Sequence, residues 1–200
     1  MEKDWTGKKT SKFVLLGASS HASSERETSD FYATDPAAVI ALLKAHKPCS
    51  NKVLEPACGE GHISQVLEYY GYTVYSSDLV NRGYGEGGID FLQMKTLPIG
   101  CRCILTNPPY RYTNDFIEHS LALLPPCGEA IFLLNINNLA GQERYNKFYS
   151  NNYLAQVFLF YKRQKCAKNG NFASFGSSAV NYAWFVFRKD NRDLTTIQWI

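Results

Sequence analysis

The sequence has no apolar run that approaches the roughly 20 residues needed to cross a bilayer. None of its six cysteines forms a Cys-x-x-Cys pair, and no secretory signal precedes them. We therefore expect reduced thiols, no zinc or other metal site, no membrane partner and a cytoplasmic location. The pattern leaves the oligomeric state open.

A strong charge of either sign is also missing, since 21 Lys and Arg side chains oppose 18 Asp and Glu side chains. The net charge of +3 is too mild to indicate a nucleic-acid partner by itself. One local cluster is basic and has no acidic neighbour: Lys162, Arg163, Lys165 and Lys168. It fits a phosphate contact or a solvated hairpin, and both interpretations stay open.

The length and the apolar pattern indicate one α/β domain. Residues 1–30 are polar and irregular, and we expect an N-terminal arm there, with a single domain over residues 31–200. Periodicity predicts helices at residues 36–46, 63–70 and 113–124, and strands at residues 51–57, 73–77, 101–106 and 129–135. Later aromatic segments at 155–161 and 181–188 predict a terminal antiparallel pair. This alternation predicts a mostly parallel sheet with helices on both faces.

Unusual residues follow the predicted strands, where open α/β sheets bind ligands. The first strand runs into residues 55–61, with the sequence EPACGEG, whose glycines permit a tight turn and a close approach of backbone to a ligand. Such a turn alone is weak evidence, because many strand-to-helix turns contain glycine. Asp78 ends the next strand, where a carboxylate can accept hydrogen bonds from both hydroxyls of a ribose or can cap a helix.

The third such end carries the four residues Asn107, Pro108, Pro109 and Tyr110. Two prolines fix the backbone and remove two N–H donors, which suits a strand terminator or a special geometry. An aromatic amine is a poor nucleophile because its lone pair is delocalised into the ring. The Asn107 side-chain oxygen and the Pro108 carbonyl can accept its two N–H groups and draw the nitrogen toward a tetrahedral geometry. Tyr110 can stack on the aromatic ring that carries this amine and hold the nitrogen in line with the group that it attacks.

These segments, in this order, resemble the N6-adenine DNA methyltransferases carried by phages and mobile elements, across most of the chain. Residues 31–36 (FYATDP) look like the segment that touches the methionine end of the cofactor in those enzymes. The resemblance implies a Rossmann-like fold with a seven-stranded sheet and S-adenosylmethionine as cofactor. The cofactor-binding residues it implies are Tyr32, Thr34, Pro36, Glu55, Ala57, Gly59, Gly61, Asp78, Asp90, Phe91 and Asn107.

Within that set, Asp90 and Phe91 look like the family's adenine-contact pair, although a turn with one core phenylalanine explains them equally well. About 90 residues follow Tyr110, so we expect no full target-recognition domain and a relaxed or very short sequence specificity. A base in a duplex must be extruded to reach Asn107, and a second aromatic would help to hold it. Phe172 and Phe175 are candidates for this contact or for core packing, and Lys162 and Lys165 are candidate DNA contacts.

The substrate class has alternatives. The same tetrapeptide chemistry serves enzymes that methylate ribosomal RNA bases or a glutamine amide in release factors. Residues 32–36 favour DNA. A protein that has lost catalysis and acts as a nucleic-acid adaptor is a further hypothesis, which the intact acceptor and stacking positions disfavour.

Overall fold

A computed structural model describes residues 32–162, 166–168 and 180–200, with the side chains of Tyr32 and of residues 166–168 outside the described part. The helices are α1 (Pro36–Ala45), α2 (His62–Tyr69), α3 (Thr113–Leu123) and the single turn α4 (Gln142–Arg144). The first strands are β1 (Tyr32–Thr34), β2 (Lys52–Glu55), β3 (Thr73–Asp78), β4 (Glu86–Gly87) and β5 (Cys103–Thr106). The later strands are β6 (Glu129–Asn135), β7 (Leu154–Leu159), β8 (Cys166–Lys168), β9 (Tyr182–Phe187) and β10 (Thr196–Trp199).

Eight strands form the main sheet in the order β10-β7-β9-β6-β5-β2-β3-β4. Only β9 runs antiparallel to its neighbours β6 and β7. The predicted α/β class, the mostly parallel sheet and the late antiparallel pair are therefore confirmed, but the predicted count of seven strands is wrong. Strand β10 pairs in parallel with β7, and all four of its residues are exposed, so no buried apolar run indicates it in the sequence.

The sheet is covered on both faces. Helices α1 and α2 pack through Ala38, Leu42 and Leu67 against a core that contains Trp184, whose indole N–H donates to the Ala38 carbonyl at 2.9 Å. Helix α3 packs on the opposite face through Phe116, Ile117 and Leu121. Burial on both faces explains why the central strands β5, β6 and β9 are almost continuously hydrophobic.

Two shorter features lie outside this plan. Strand β1 pairs antiparallel with β8 in a separate two-stranded sheet, which the sequence analysis did not predict. Between β3 and β5 the chain forms only β4 and one 3-10 turn, Phe91–Gln93, instead of an α-helix. A cleft of about 600 Å³ lies along the outer edge of β3, lined by residues that include Tyr75, Ser77 and Met94. No helix in the described ranges is long and apolar enough to span a membrane.

A buried carboxylate joins four parts of the fold at the amino end of β6. Glu129 is fully buried, and it accepts hydrogen bonds from Arg188 at 2.8 Å and from the Cys49 backbone N–H at 2.7 Å. Arg188 binds Oε2, whereas the Cys49 N–H binds Oε1, and the His46 Nε2 lies 3.1 Å from that same Oε1. Burial alone would raise the pKa of Glu129, but the hydrogen bonds from His46, Arg188 and the Cys49 backbone, together with the charge of His46, outweigh it and hold this pKa below its ordinary value.

Replacing this carboxylate should destabilise the fold. We expect Glu129→Gln to lower the free energy of unfolding by about 2–3 kcal/mol near pH 7, below the usual cost of breaking a buried pair because Arg188 is 37% exposed. The pKa of Glu129 is lower in the folded protein than in the unfolded chain. Its contribution to stability is therefore present above the ordinary carboxyl pKa of about 4.3, and it is lost as the pH falls through the pKa of the folded state. Urea unfolding at several pH values measures both effects.

Glu118→Gln is the matched control, because it removes a carboxylate that pairs with Lys147 on the exposed surface of α3. That variant should change the free energy of unfolding by less than about 1 kcal/mol. Equal losses in the two variants would contradict a special role for the buried pair.

Candidate active site

Three strand ends meet at one edge of the sheet. Glu55 lies level with Ser76 across the β2–β3 pairing, and Leu54 lies level with Ile104 across the β2–β5 pairing. Asp78 and Asn107 therefore each extend two residues beyond the level of Glu55, on opposite sides of β2. Two inter-strand spacings separate β3 from β5, which is roughly 10 Å. The register brings the two predicted side chains to the same edge.

The carboxylate of Asp78 organises the glycine turn after β2. Its Oδ2 accepts from the Gly59 backbone N–H at 2.9 Å, and its Oδ1 accepts from the Val80 N–H at 2.8 Å. Gly59 has a φ of 57°, in the left-handed region, which brings its N–H to the neighbouring strand. The sequence predicts a ligand role for both residues, and the structure also shows them bonded to each other.

Gly61 has a packing role that the sequence analysis missed. It begins α2 with a φ of +84°, and a Cβ there would lie 2.6 Å from the ring of Tyr84. The ring of Tyr84 therefore occupies the space that any other side chain at position 61 would need. Burial, followed by the charge of Glu68, raises the pKa of Tyr84.

Glu55 lies inside this turn rather than on its surface. It is 1% exposed, and Ser64, in the first two turns of α2, donates a hydrogen bond to its Oε2. The hydroxyls of Ser64 and Ser76 are 2.7 Å apart, so this small network links β2, α2 and β3. Burial raises the pKa of Glu55 well above its ordinary value, and the charge of Asp78 adds to the effect.

Asn107 is held by the segment that precedes α1. Its side-chain Nδ2 donates to Thr34 Oγ1 at 3.2 Å, and Thr34 is 3% exposed. Asp35 then caps α1, since its Oδ1 accepts from the Ala37 N–H at 2.9 Å, and Pro36 occupies the first turn. The structure thus brings together Thr34 and Asn107, which are 73 positions apart in the sequence.

Tyr110 packs against a second tyrosine. The ring of Tyr182 at the start of β9 lies 6.0 Å from the ring of Tyr110, centroid to centroid, at an interplanar angle of 28°. Tyr182 is 7% exposed, whereas Tyr110 is partly exposed. The hydroxyl of Thr113 donates to the Tyr110 carbonyl at 3.0 Å and fixes the turn into α3. Pro108 is buried and Pro109 is half-buried between these anchors.

Two other predicted residues, Asp90 and Phe91, lie between β4 and β5. Asp90 caps the 3-10 turn by accepting from the Leu92 N–H at 3.0 Å. Phe91 is 2% exposed and packs on Phe116 and His119, with ring centroids 4.9 Å and 5.0 Å away. In this structure the pair serves as a capped turn and a core ring, so its contact with adenine stays a prediction.

Of the remaining residues predicted to bind cofactor or DNA, the structure describes some and leaves others outside its described ranges. Ala57 is half-buried in the glycine turn, and Tyr32 pairs with residue 168 through its backbone. Lys162 is exposed and its ammonium lies 5.4 Å from the ring centroid of Tyr161. Lys165, Phe172 and Phe175 lie outside the described residues. The five cysteines whose side chains are described are free, and within residues 32–162 and 180–200 no group of three His, Cys, Asp or Glu side chains is placed to hold a metal ion.

The sequence analysis missed three residues that contact the predicted site residues: Tyr182, Tyr84 and Ser64. A strand that runs antiparallel to its parallel neighbours begins at the edge where they end, so the predicted antiparallel segment 181–188 already indicated that its first residues face the site. Tyr84 is a lone aromatic residue among four glycines, Gly83, Gly85, Gly87 and Gly88. Ser64 has no comparable indication in the sequence.

The comparisons with known proteins agree with this geometry at the level of the fold. A Listeria monocytogenes protein assigned to the class I S-adenosylmethionine-dependent methyltransferases superposes with a TM-score of 0.60 at 14% identity, over 94% of this chain and 70% of that one. The chain has a class I methyltransferase fold. A type I restriction enzyme modification subunit assigned in Vibrio vulnificus superposes with a TM-score of 0.54 at 14% identity, over 94% of this chain but half of that one.

The same fold also occurs in a Lactococcus lactis protein assigned as a hemolysin, with a TM-score of 0.55, 13% identity and coverage of 80% of this chain and 89% of that one. No family model matches the sequence, and no curated protein matches it. At these identities the shared property is the class I methyltransferase fold.

The raised pKa of Glu55 predicts an unusual stability profile. The folded state holds this proton more tightly than the unfolded chain, so the stabilisation is complete below the ordinary pKa of about 4.3 and is lost as the pH rises toward the folded value. Glu55→Gln keeps an acceptor for Ser64 without a titrating proton. We expect its stability, relative to the native chain, to increase between pH 5 and pH 8 in urea unfolding.

Ser64→Ala is the comparison variant, because it removes the donor and leaves the buried carboxyl in place. It should lower stability by about 1–3 kcal/mol. A relative stability of Glu55→Gln that stayed constant or fell between pH 5 and pH 8 would contradict a raised pKa for Glu55.

Proposed function

We propose that the chain is an S-adenosylmethionine-dependent methyltransferase that methylates the exocyclic N6 amine of adenine in DNA. The observation that carries the proposal is the placement of Asn107 and Asp78 at the same sheet edge, each two residues beyond Glu55. One side of β2 then offers a ribose-binding carboxylate, and the other offers an amide and a partly exposed aromatic ring. The class I methyltransferase fold supports the use of this edge.

The Asp78 end fits the nucleoside part of such a cofactor. Each Asp78 oxygen accepts one backbone N–H, from Gly59 or Val80, and an ionised carboxylate has about four acceptor positions. Two positions therefore remain for the hydroxyls of a ribose. The carboxylate is already oriented by the backbone, so it needs no rearrangement to accept them. Asp78 and the Gly59–Gly61 turn are the residues that would hold the cofactor.

The Asn107 end fits an amine that acts as a nucleophile. When bound, S-adenosylmethionine supplies an electrophilic methyl group on its sulfonium sulfur. The Asn107 Oδ1 and the Pro108 carbonyl accept the two N–H groups of the amine, which localises the nitrogen lone pair for attack. Transfer would form the N–C bond and break the methyl–sulfur bond, and the sulfur would keep the electron pair as a neutral thioether. The surplus proton on nitrogen would then leave to solvent, so the reaction needs no general base.

Adenine in DNA is the substrate that the described residues support best. Tyr110 has one ring face on Tyr182, and its partly exposed ring offers stacking area to a planar base. Since a base inside a duplex cannot reach Asn107, the substrate must be single-stranded or the base must be extruded. The likeness to a restriction-enzyme modification subunit is compatible with DNA. The exposed ammonium of Lys162 is a candidate phosphate contact.

Transfer of a labelled methyl group tests the proposal. S-adenosylmethionine with a labelled methyl is incubated with DNA free of adenine methylation, with total RNA and with a release factor, and nucleosides and peptides are analysed by mass spectrometry. We expect N6-methyladenine in DNA. Asn107→Ala should lower the rate by at least about 100-fold and leave cofactor affinity within a few-fold, because it removes an acceptor that acts on the reacting amine.

Each other result has a defined meaning. Label only in RNA or in the release factor would retain methyl transfer and replace the substrate. Cofactor binding without transfer to any substrate would favour the adaptor hypothesis. An unchanged rate in Asn107→Ala would remove Asn107 from the mechanism.

Tyr182 should matter through Tyr110 rather than through its own contact with the substrate. In Tyr182→Leu the stacking partner of Tyr110 is lost while the position stays apolar. We expect a KM for DNA about 3- to 10-fold higher, in line with the roughly 0.5–1.5 kcal/mol of an aromatic pair, and an unchanged affinity for the cofactor. Tyr182→Phe keeps the ring and should behave like the native enzyme, and a similar loss in that variant would exclude stacking as the cause.

A further inference from the structure

Thr34 is a small polar residue that is buried. It is 3% exposed, ends β1 and directly precedes the helix cap Asp35. The β1–β8 pairing sets its backbone on one side, since Thr34 lies opposite residue 166, and the capped start of α1 sets it on the other. Its Oγ1 is the acceptor for the Asn107 Nδ2 at 3.2 Å.

A primary amide has one donor end and one acceptor end, and the two are nearly identical in shape. A neighbouring acceptor that binds Nδ2 therefore also decides where Oδ1 points. An amine substrate brings two N–H donors, so it can be bound only by the oxygen end. With the amide reversed, the Nδ2 donors would face the donors of the substrate, and the acceptor would be lost at the place where the reaction needs it.

We propose that Thr34 is a positioning residue for Asn107: its Oγ1 accepts a hydrogen bond from Nδ2 and thereby presents Oδ1 to the substrate amine. This inference rests on the proposed function and gives Thr34 a role different from the cofactor contact that the sequence resemblance implies. The hydroxyl needs no charge and no contact with the substrate. It acts through the orientation of one amide.

The two roles of Thr34 predict opposite kinetic effects. Thr34→Val keeps the branched shape and removes Oγ1, whereas Thr34→Ser keeps the oxygen. If Thr34 orients Asn107, Thr34→Val should lower kcat by about 10- to 100-fold with the dissociation constant for S-adenosylmethionine within about 3-fold of the native value. Thr34→Ser should recover kcat to within about 3-fold. A weaker cofactor affinity with an unchanged kcat would overturn the proposal in favour of a cofactor contact.

Thr195→Val is the matched control for loss of a threonine hydroxyl. Thr195 Oγ1 donates to the Leu154 carbonyl at 2.7 Å, at the start of β7 and away from the Asn107 edge. It should not change kcat or cofactor affinity. A kcat loss in this control equal to that of Thr34→Val would reduce the effect to general destabilisation and overturn the positioning role.

A measurement without turnover separates this inference from the proposed function. The side-chain NH₂ of Asn107 gives a pair of signals in a ¹H–¹⁵N spectrum, assigned by their absence in Asn107→Asp. They should shift in Thr34→Val and stay close to the native positions in Thr34→Ser and Thr195→Val. Unchanged signals in Thr34→Val would overturn the hydrogen bond even in an active enzyme. If the native protein transfers no methyl group, the proposed function fails, and these spectra still decide whether Thr34 orients the amide.

Discussion

The site depends on the register of β2 against its two parallel neighbours. Because Glu55 lies level with Ser76 and Leu54 with Ile104, the residues that follow β3 and β5 extend equally far beyond β2. A slip of one residue would turn every side chain of a strand to the other face of the sheet. The buried residues on both faces oppose such a slip, so core packing and site geometry are enforced by the same contacts.

Much of this arrangement is predictable from local pattern. Strand β6 is almost entirely buried and reads as a continuous apolar run, and α1 carries a capping Asp35 followed by Pro36. The strand-end positions of Asp78 and of the residues from Asn107 to Tyr110 follow from the same patterns, since a parallel sheet gathers its carboxyl ends at one edge. These features need only short-range information, which a single sequence contains.

The remaining features depend on contacts between distant segments. Gly61 reads as a ligand-binding glycine, yet the ring of Tyr84 fills the space beside it. Strand β10 has four exposed residues and is defined by its pairing with β7 rather than by burial. The contact of Thr34 with Asn107 spans 73 positions and requires the antiparallel placement of β1. Such relations arise from tertiary structure, which periodicity does not encode.

The two side chains that meet after β5, the amide of Asn107 and the hydroxyl of Thr34, carry no charge. Under the proposed function a base would displace water as it enters the site, and a carboxylate in place of the amide would then have to lose its hydration at a cost in free energy. An amide accepts the same N–H donor with far less desolvation, but it is useful only in one of its two orientations. A charged neighbour would restore the desolvation problem, whereas the buried hydroxyl of Thr34 accepts from the Asn107 Nδ2 without adding a charge. A neutral acceptor oriented by a neutral hydroxyl therefore suits an uncharged aromatic amine.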